Sequence, residues 1–194
     1  MASSSIPAGA HGDPTRRDFL MVATGAMAAV GGIATAWPFI NNLNPAADTL
    51  ALSTVEVNVQ PIAVGQAVTV KWRGKPLFVR HRTPEEIKEA EAVPLSQLRD
   101  PQTDNSRVTD TAKKVRPEWL IQIGVCTHLG CVPLGNKPGD PKGPFGGWFC
   151  PCHGSQYDTS GRIRKGPAPR NLEIPAYIFE TDTTLLVGAE AKKS

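Results

Sequence analysis

All four cysteines of this chain fall between Cys126 and Cys152, so one local structure must bring them together. They form two short boxes, Cys126-Thr127-His128-Leu129-Gly130-Cys131 and Cys150-Pro151-Cys152-His153-Gly154-Ser155. C-x-H followed by C-x-x-H supplies two thiolates and two imidazoles from Cys126, His128, Cys150 and His153. A tetrahedral zinc could use that set, so these four residues by themselves do not decide the metal. Cys131 and Cys152 sit at equivalent places in the two boxes, beyond the first cysteine of each. If the loops face each other across the metal, this pair would meet and could form a disulfide. Closing that loop would stabilise the domain by roughly 3 kcal/mol on the chain-entropy account.

The rest of the chain reads as the scaffold for these loops. Its 194 residues, 40% hydrophobic, suit one modest globular domain plus something extra. Gly and Pro number 18 each, which favours turns and short strands over long helices. Val55-Glu56-Val57-Asn58-Val59 alternates with period two, as a half-buried strand does. Ala67 to Trp72 and Leu77 to Arg80 flank Arg73-Gly74-Lys75-Pro76 and read as a hairpin. Thr83, Pro84 and Glu86 make a capping box that predicts one helix over Ile87 to Ala92. Asp100 to Arg116 is polar and predicts no element. Trp119 to Val125 is an apolar strand leading into Cys126, and Tyr177 to Glu180 with Thr184 to Val187 form a last hairpin. These short strands predict a mainly β fold: an antiparallel β-sandwich or barrel with a smaller β subdomain over about 122–176 that carries the two boxes. A net charge of +3 with no basic run interleaved with aromatics sets nucleic acid aside as a partner.

The N-terminus has a different character. Thr15-Arg16-Arg17-Asp18-Phe19-Leu20 opens an uncharged stretch that runs to Ile40, and the twin arginines resemble a Tat export signal. Residues 19–40 would span about 33 Å as a helix, enough to cross a hydrocarbon core of ~30 Å. Ala34-Thr35-Ala36 offers a cleavage pattern, yet a signal's apolar core is usually ~7–15 residues and this one is longer. The expectation is a retained single-pass anchor. Arg16 and Arg17 precede the span and no Lys or Arg follows until Lys71, which keeps the N-terminus cytoplasmic. The organisation expected is a tail over 1–18, a transmembrane helix over 19–40, a neck over 41–52 and an exported domain over 53–194. An exported, oxidising location fits a disulfide.

With both boxes, the anchor and the Gly166-Pro167-Ala168-Pro169 stretch assembled, the chain resembles Rieske proteins. The resemblance is to the iron–sulfur subunits of ubiquinol–cytochrome c reductase (cytochrome bc) complexes. It implies a 2Fe-2S cluster with Cys126 and Cys150 on one iron and His128 and His153 on the other. It also implies a disulfide between Cys131 and Cys152, and a Pro-rich loop at Gly166 to Pro169 that covers one side of the cluster. Ser155 and Tyr157 match family residues whose hydroxyls donate to a cluster sulfur and to the Cys126 sulfur. A soluble Rieske carrier or oxygenase domain would usually lack the extra cysteine pair and the anchor. An anchored Rieske protein such as an arsenite oxidase small subunit shares more of the pattern.

The implied function is electron transfer by one subunit of a translocating oxidoreductase. The subunit would oxidise ubiquinol at cytochrome b and pass the electron to a c-type cytochrome, with proton release. Replacing two thiolates by two imidazoles leaves the oxidised cluster formally neutral, which raises its potential, and hydroxyl donors at Ser155 and Tyr157 raise it further. His128 and His153 are the candidate catalytic residues, one of them accepting a hydrogen bond from the quinol hydroxyl. The implied location is a bacterial inner membrane, with the cluster domain periplasmic. His11 and His81 lie outside the boxes and read as solvated or structural.

Overall fold

A computed structural model describes residues 15–44 and 53–188, in two compact units. The first unit is built on helix α1, Arg16–Asn41. It starts three residues earlier than the apolar stretch suggested, because Thr15 and Asp18 form a capping box. The Thr15 hydroxyl accepts from the Asp18 amide at 3.2 Å, and the Asp18 carboxylate accepts from the Thr15 amide at 2.9 Å. Two of the helix's free N–H groups are thereby satisfied, and the twin arginines fall in its first turn. The helix is long and apolar enough to cross a membrane, and none of its residues is buried. Asn41 ends it, so the neck expected over 41–52 begins in described residues, while its positions 45–52 lie outside them. His11 lies outside them as well.

The described residues of the second unit form nine strands in three antiparallel sheets. The strands are β1 (Val55–Asn58), β2 (Ala67–Trp72), β3 (Lys75–His81), β4 (Trp119–Ile123), β5 (Gly146–Cys150), β6 (Ser155–Asp158), β7 (Ile163–Lys165), β8 (Tyr177–Phe179) and β9 (Thr184–Val187). The sheet orders are β1-β9-β8, β2-β3-β4 and β5-β6-β7. The β2-β3-β4 sheet separates two hydrophobic cores. Leu77, Val79, Ile121 and Ile123 pack with Val57, Tyr177, Leu185 and Val187 of the β1-β9-β8 sheet. From the opposite face Phe78 and Leu120 pack with Trp148, Tyr157 and Ile163 of the β5-β6-β7 sheet. Strand β4 is buried along its whole length, which is why its sequence is apolar at every position but Gln122 rather than alternating. The expected sandwich with a smaller β subdomain is therefore present.

Two details differ from the sequence reading. The β2–β3 hairpin turns through only Arg73 and Gly74, both at positive φ (48° and 76°), and Lys75 and Pro76 already pair with Trp72 and Lys71. Two left-handed residues match the twist of flanking strands, so the loop is shorter than Arg73 to Pro76. The polar Asp100 to Arg116 segment contains a short helix, α3 (Asp104–Arg107), beyond the predicted α2 (Pro84–Glu91) with its Thr83 capping box. Asp104 accepts two hydrogen bonds from the fully buried Arg82, at 2.7 and 2.9 Å. The buried Arg107 donates to the carbonyls of Ser160 and Leu172. These side chains bind partners distant in sequence, which no local pattern announces.

Candidate metal centre

The two boxes fold as matching loops. After β4, the Cys126 carbonyl accepts from Gly130 N at 3.0 Å; after β5, the Cys150 carbonyl accepts from Gly154 N at 2.9 Å. Gly130 and Gly154 both sit at positive φ, 85° and 76°, a conformation that favours glycine at the fifth place of each turn. The second box is the β5–β6 connection, with Cys150 paired to Ser155 across it. The first is closed by Cys126 N donating to Cys131 O at 2.7 Å. Cys131 and Cys152 form a disulfide that joins the loops.

This arrangement leaves Cys126 and Cys150 as free, buried thiols. His128 is half-buried and His153 exposed. Their rings lie edge to face with centroids 4.7 Å apart. The sulfur donors thus lie inside and the nitrogen donors lie at the surface. The sulfurs of Cys131, Cys150 and Cys152 also approach within 4.8 Å of one another, but two of them are consumed by the disulfide. Burial, with Cys126 as neighbour, pushes the Cys150 thiol above its ordinary value. A thiol raised in this way becomes a thiolate readily only beside a bound cation. The donor set and its burial fit an iron centre of two thiolates and two imidazoles, and the same set also satisfies zinc.

Residues around the donors are held by specific bonds. Tyr157 is buried and its hydroxyl lies 3.2 Å from Cys126 Sγ. Burial, then the Cys126 thiol, raise its pKa far above the ordinary phenol value, so it stays a hydrogen donor. Ser155 is buried, and its Oγ accepts from Ala168 N at 3.2 Å. A serine oxygen that accepts from an amide keeps its own hydrogen for another acceptor. The Gly166 to Pro169 stretch, placed near the site by resemblance, therefore packs directly against Ser155. Thr127, between the two donors of the first box, donates to Arg170 O at 2.6 Å and ties that box to the end of the Pro-rich stretch.

Sequence reasoning brought Cys126, His128, Cys150, His153, Ser155, Tyr157 and the disulfide pair to one place, and the structure assembles all of them there. It missed Thr127. It also missed Arg99, which bonds the Gly166 to Pro169 stretch, and Asp100, which bonds Asn171 just beyond it. The position of Thr127 inside C-x-H was the available signal for it; the other two carried none. His81 stacks on Trp119 at 4.1 Å, and its Nδ1 lies 2.8 Å from the Ile62 carbonyl, a structural role.

Comparison with known proteins bears on the choice of metal. Residues 55–177 match the family described as "Rieske [2Fe-2S] domain", and residues 6–46 match "Ubiquitinol-cytochrome C reductase Fe-S subunit TAT signal". A ubiquinol-cytochrome c reductase iron-sulfur subunit of Rhodospirillum rubrum is 62% identical over 91% of this chain and 93% of its own. One from Rickettsia felis is 55% identical over 90% of this chain and 93% of its own. The mitochondrial Rieske subunit of the Saccharomyces cerevisiae cytochrome b-c1 complex is 55% identical over 87% of this chain and 73% of its own.

Proposed function

Because the chain belongs to the family of Rieske iron–sulfur subunits of ubiquinol–cytochrome c reductase, we propose that Cys126, Cys150, His128 and His153 ligate its 2Fe-2S cluster. Both thiolates would bind one iron and both imidazoles the other. The chain is a subunit of that reductase and transfers electrons from ubiquinol towards cytochrome c. Its N-terminal helix carries the Tat signal of the family and anchors it to the membrane.

The observation that carries the proposal is the sidedness of the donors, with Cys126 and Cys150 buried and the His128 and His153 rings at the surface. The cluster supplies a one-electron acceptor, formally neutral when oxidised, so that adding the electron costs less than it would with four thiolates. A quinol must lose a proton with each electron. The ring nitrogen of His128 or His153 not used as a ligand accepts a hydrogen bond from the quinol hydroxyl and takes that proton. Tyr157 and Ser155 hold hydrogen-bond donors toward Cys126 Sγ and a cluster sulfur, which draws charge off the sulfurs and favours the reduced state. The buried thiolate side keeps water away from the sulfur ligands.

Within this proposal the quinol is oxidised at a cytochrome b, and a c-type cytochrome takes the electron. Residues 41–52 serve as the neck that lets the domain reach both docking sites. The twin arginines stay on the cytoplasmic side of a bacterial inner membrane, and the cluster domain is periplasmic, as the charge asymmetry across the span supports. Affinity purification of the tagged full chain from its membrane tests the partners: a b-type and a c-type cytochrome should co-purify with it. Recovery of the coloured subunit with neither haem would contradict them.

A further inference from the structure

Strand β7 ends at Lys165, and the chain continues through Gly166, Pro167, Ala168 and Pro169. Two prolines in four residues leave only Gly166 and Ala168 with N–H groups, so this stretch cannot extend the strand ladder. The carbonyls of Gly166 and Ala168 both accept from Nη1 of Arg99, at 2.7 Å each. That nitrogen carries two hydrogens, one for each carbonyl, and the bonds are strengthened by the guanidinium charge. The loop has no slack against Ser155. Gly166 sits at φ +105°, and a Cβ there would lie 2.5 Å from Ser155 Cα and 2.8 Å from Gly154 O. Further along, Asp100 Oδ2 accepts from Asn171 N at 3.0 Å and Arg107 donates to Leu172 O at 2.8 Å. Arg99 holds the part that lies over Ser155.

We propose that Arg99 is a positioning residue of the cluster centre, which fixes the Gly166 and Ala168 carbonyls so that Ala168 N–H is presented to Ser155 Oγ. With that amide bound on one side, the Ser155 hydroxyl hydrogen is directed to its other acceptor. This rests on the donor role proposed for Ser155 above. Arg99 itself is exposed and outside both cores, so substitutions there leave folding intact.

The test compares Arg99→Gln, Arg99→Lys, Ser155→Ala and the Arg99→Gln/Ser155→Ala double variant in the full chain assembled in its complex. The readouts are the midpoint potential and the EPR line shape of the reduced centre. Ser155→Ala should lower the potential, and Arg99→Gln should lower it by less while broadening the line. Arg99→Lys should restore most of the loss, because an ammonium also offers hydrogens to the carbonyls. The double variant should match Ser155→Ala, since two residues acting through one bond are not additive. Wild-type potential and line shape in Arg99→Gln would overturn the inference and leave the Ser155 role standing. Fully additive shifts would also overturn it, because Arg99 would then act by its charge alone. An unchanged potential in Ser155→Ala would remove the Ser155 role itself and this inference with it.

Discussion

The hydroxyl of Tyr157 lies 3.2 Å from Cys126 Sγ, and both residues are buried. A donor held there stabilises a sulfur more strongly as negative charge accumulates on it, so it favours the reduced centre. Tyr157→Phe and Ser155→Ala should each lower the midpoint potential and slow quinol oxidation while the cluster survives. A difference of about 1 kcal/mol between the redox states corresponds to roughly 40 mV for one electron. A redox titration followed by EPR measures it; unchanged potentials in both variants would remove these residues from the tuning role.

The disulfide contributes stability through the loop it closes. Cys131 and Cys152 are 21 residues apart, and a closure of that length is worth about 3 kcal/mol. Cys131→Ser with Cys152→Ser should therefore lower the temperature at which cluster absorbance is lost by about 10 °C. It also frees the two loops to separate, so loss of the cluster should precede loss of β-sheet circular dichroism. Simultaneous loss at the wild-type temperature would contradict this.

The Arg82–Asp104 pair is closed off from water on both sides. Removing one partner leaves a buried charge uncompensated, at a cost of roughly 3–5 kcal/mol. Asp104→Ala should be among the most destabilising single changes in the second unit, visible as a large drop in the urea midpoint of the detergent-solubilised chain. Arg116→Ala is a useful contrast. Arg116 pairs with Asp182, whose side chain is mostly exposed, and an ion pair with one partner in water contributes ~0–1 kcal/mol.

The thiol inventory separates the two roles of the cysteines. With the metal removed and the chain unfolded without reductant, two thiols should react with a thiol reagent, those of Cys126 and Cys150. After reduction all four should react. Four reactive thiols before reduction would contradict the disulfide.

Much of this was legible in the sequence because it was local. The C-x-H and C-x-x-H spacings place their donors within single turns, and the glycine inside each box, Gly130 or Gly154, allows that turn to close. The Thr83 capping box and the alternation of Val55 to Val59 are likewise short-range signals, and both elements formed. What escaped was long-range and polar. Arg82, Arg99 and Arg107 are surface-type residues in the sequence, and their roles come from carbonyls and carboxylates 22 to 69 residues away. Strand β4 was readable as apolar, but only packing reveals that it is covered on both faces. The early start of α1 followed from Thr15 and Asp18, a capping signal that the apolar pattern overshadowed.

The central claim is that two cysteines and two histidines share one cluster, and pulsed EPR of the reduced centre tests it most directly. The account predicts strong coupling to two nitrogen nuclei in the wild-type chain, and loss of the signal in His128→Ala and in His153→Ala. A signal with no coupled nitrogen, or a colourless protein holding stoichiometric zinc, would contradict it.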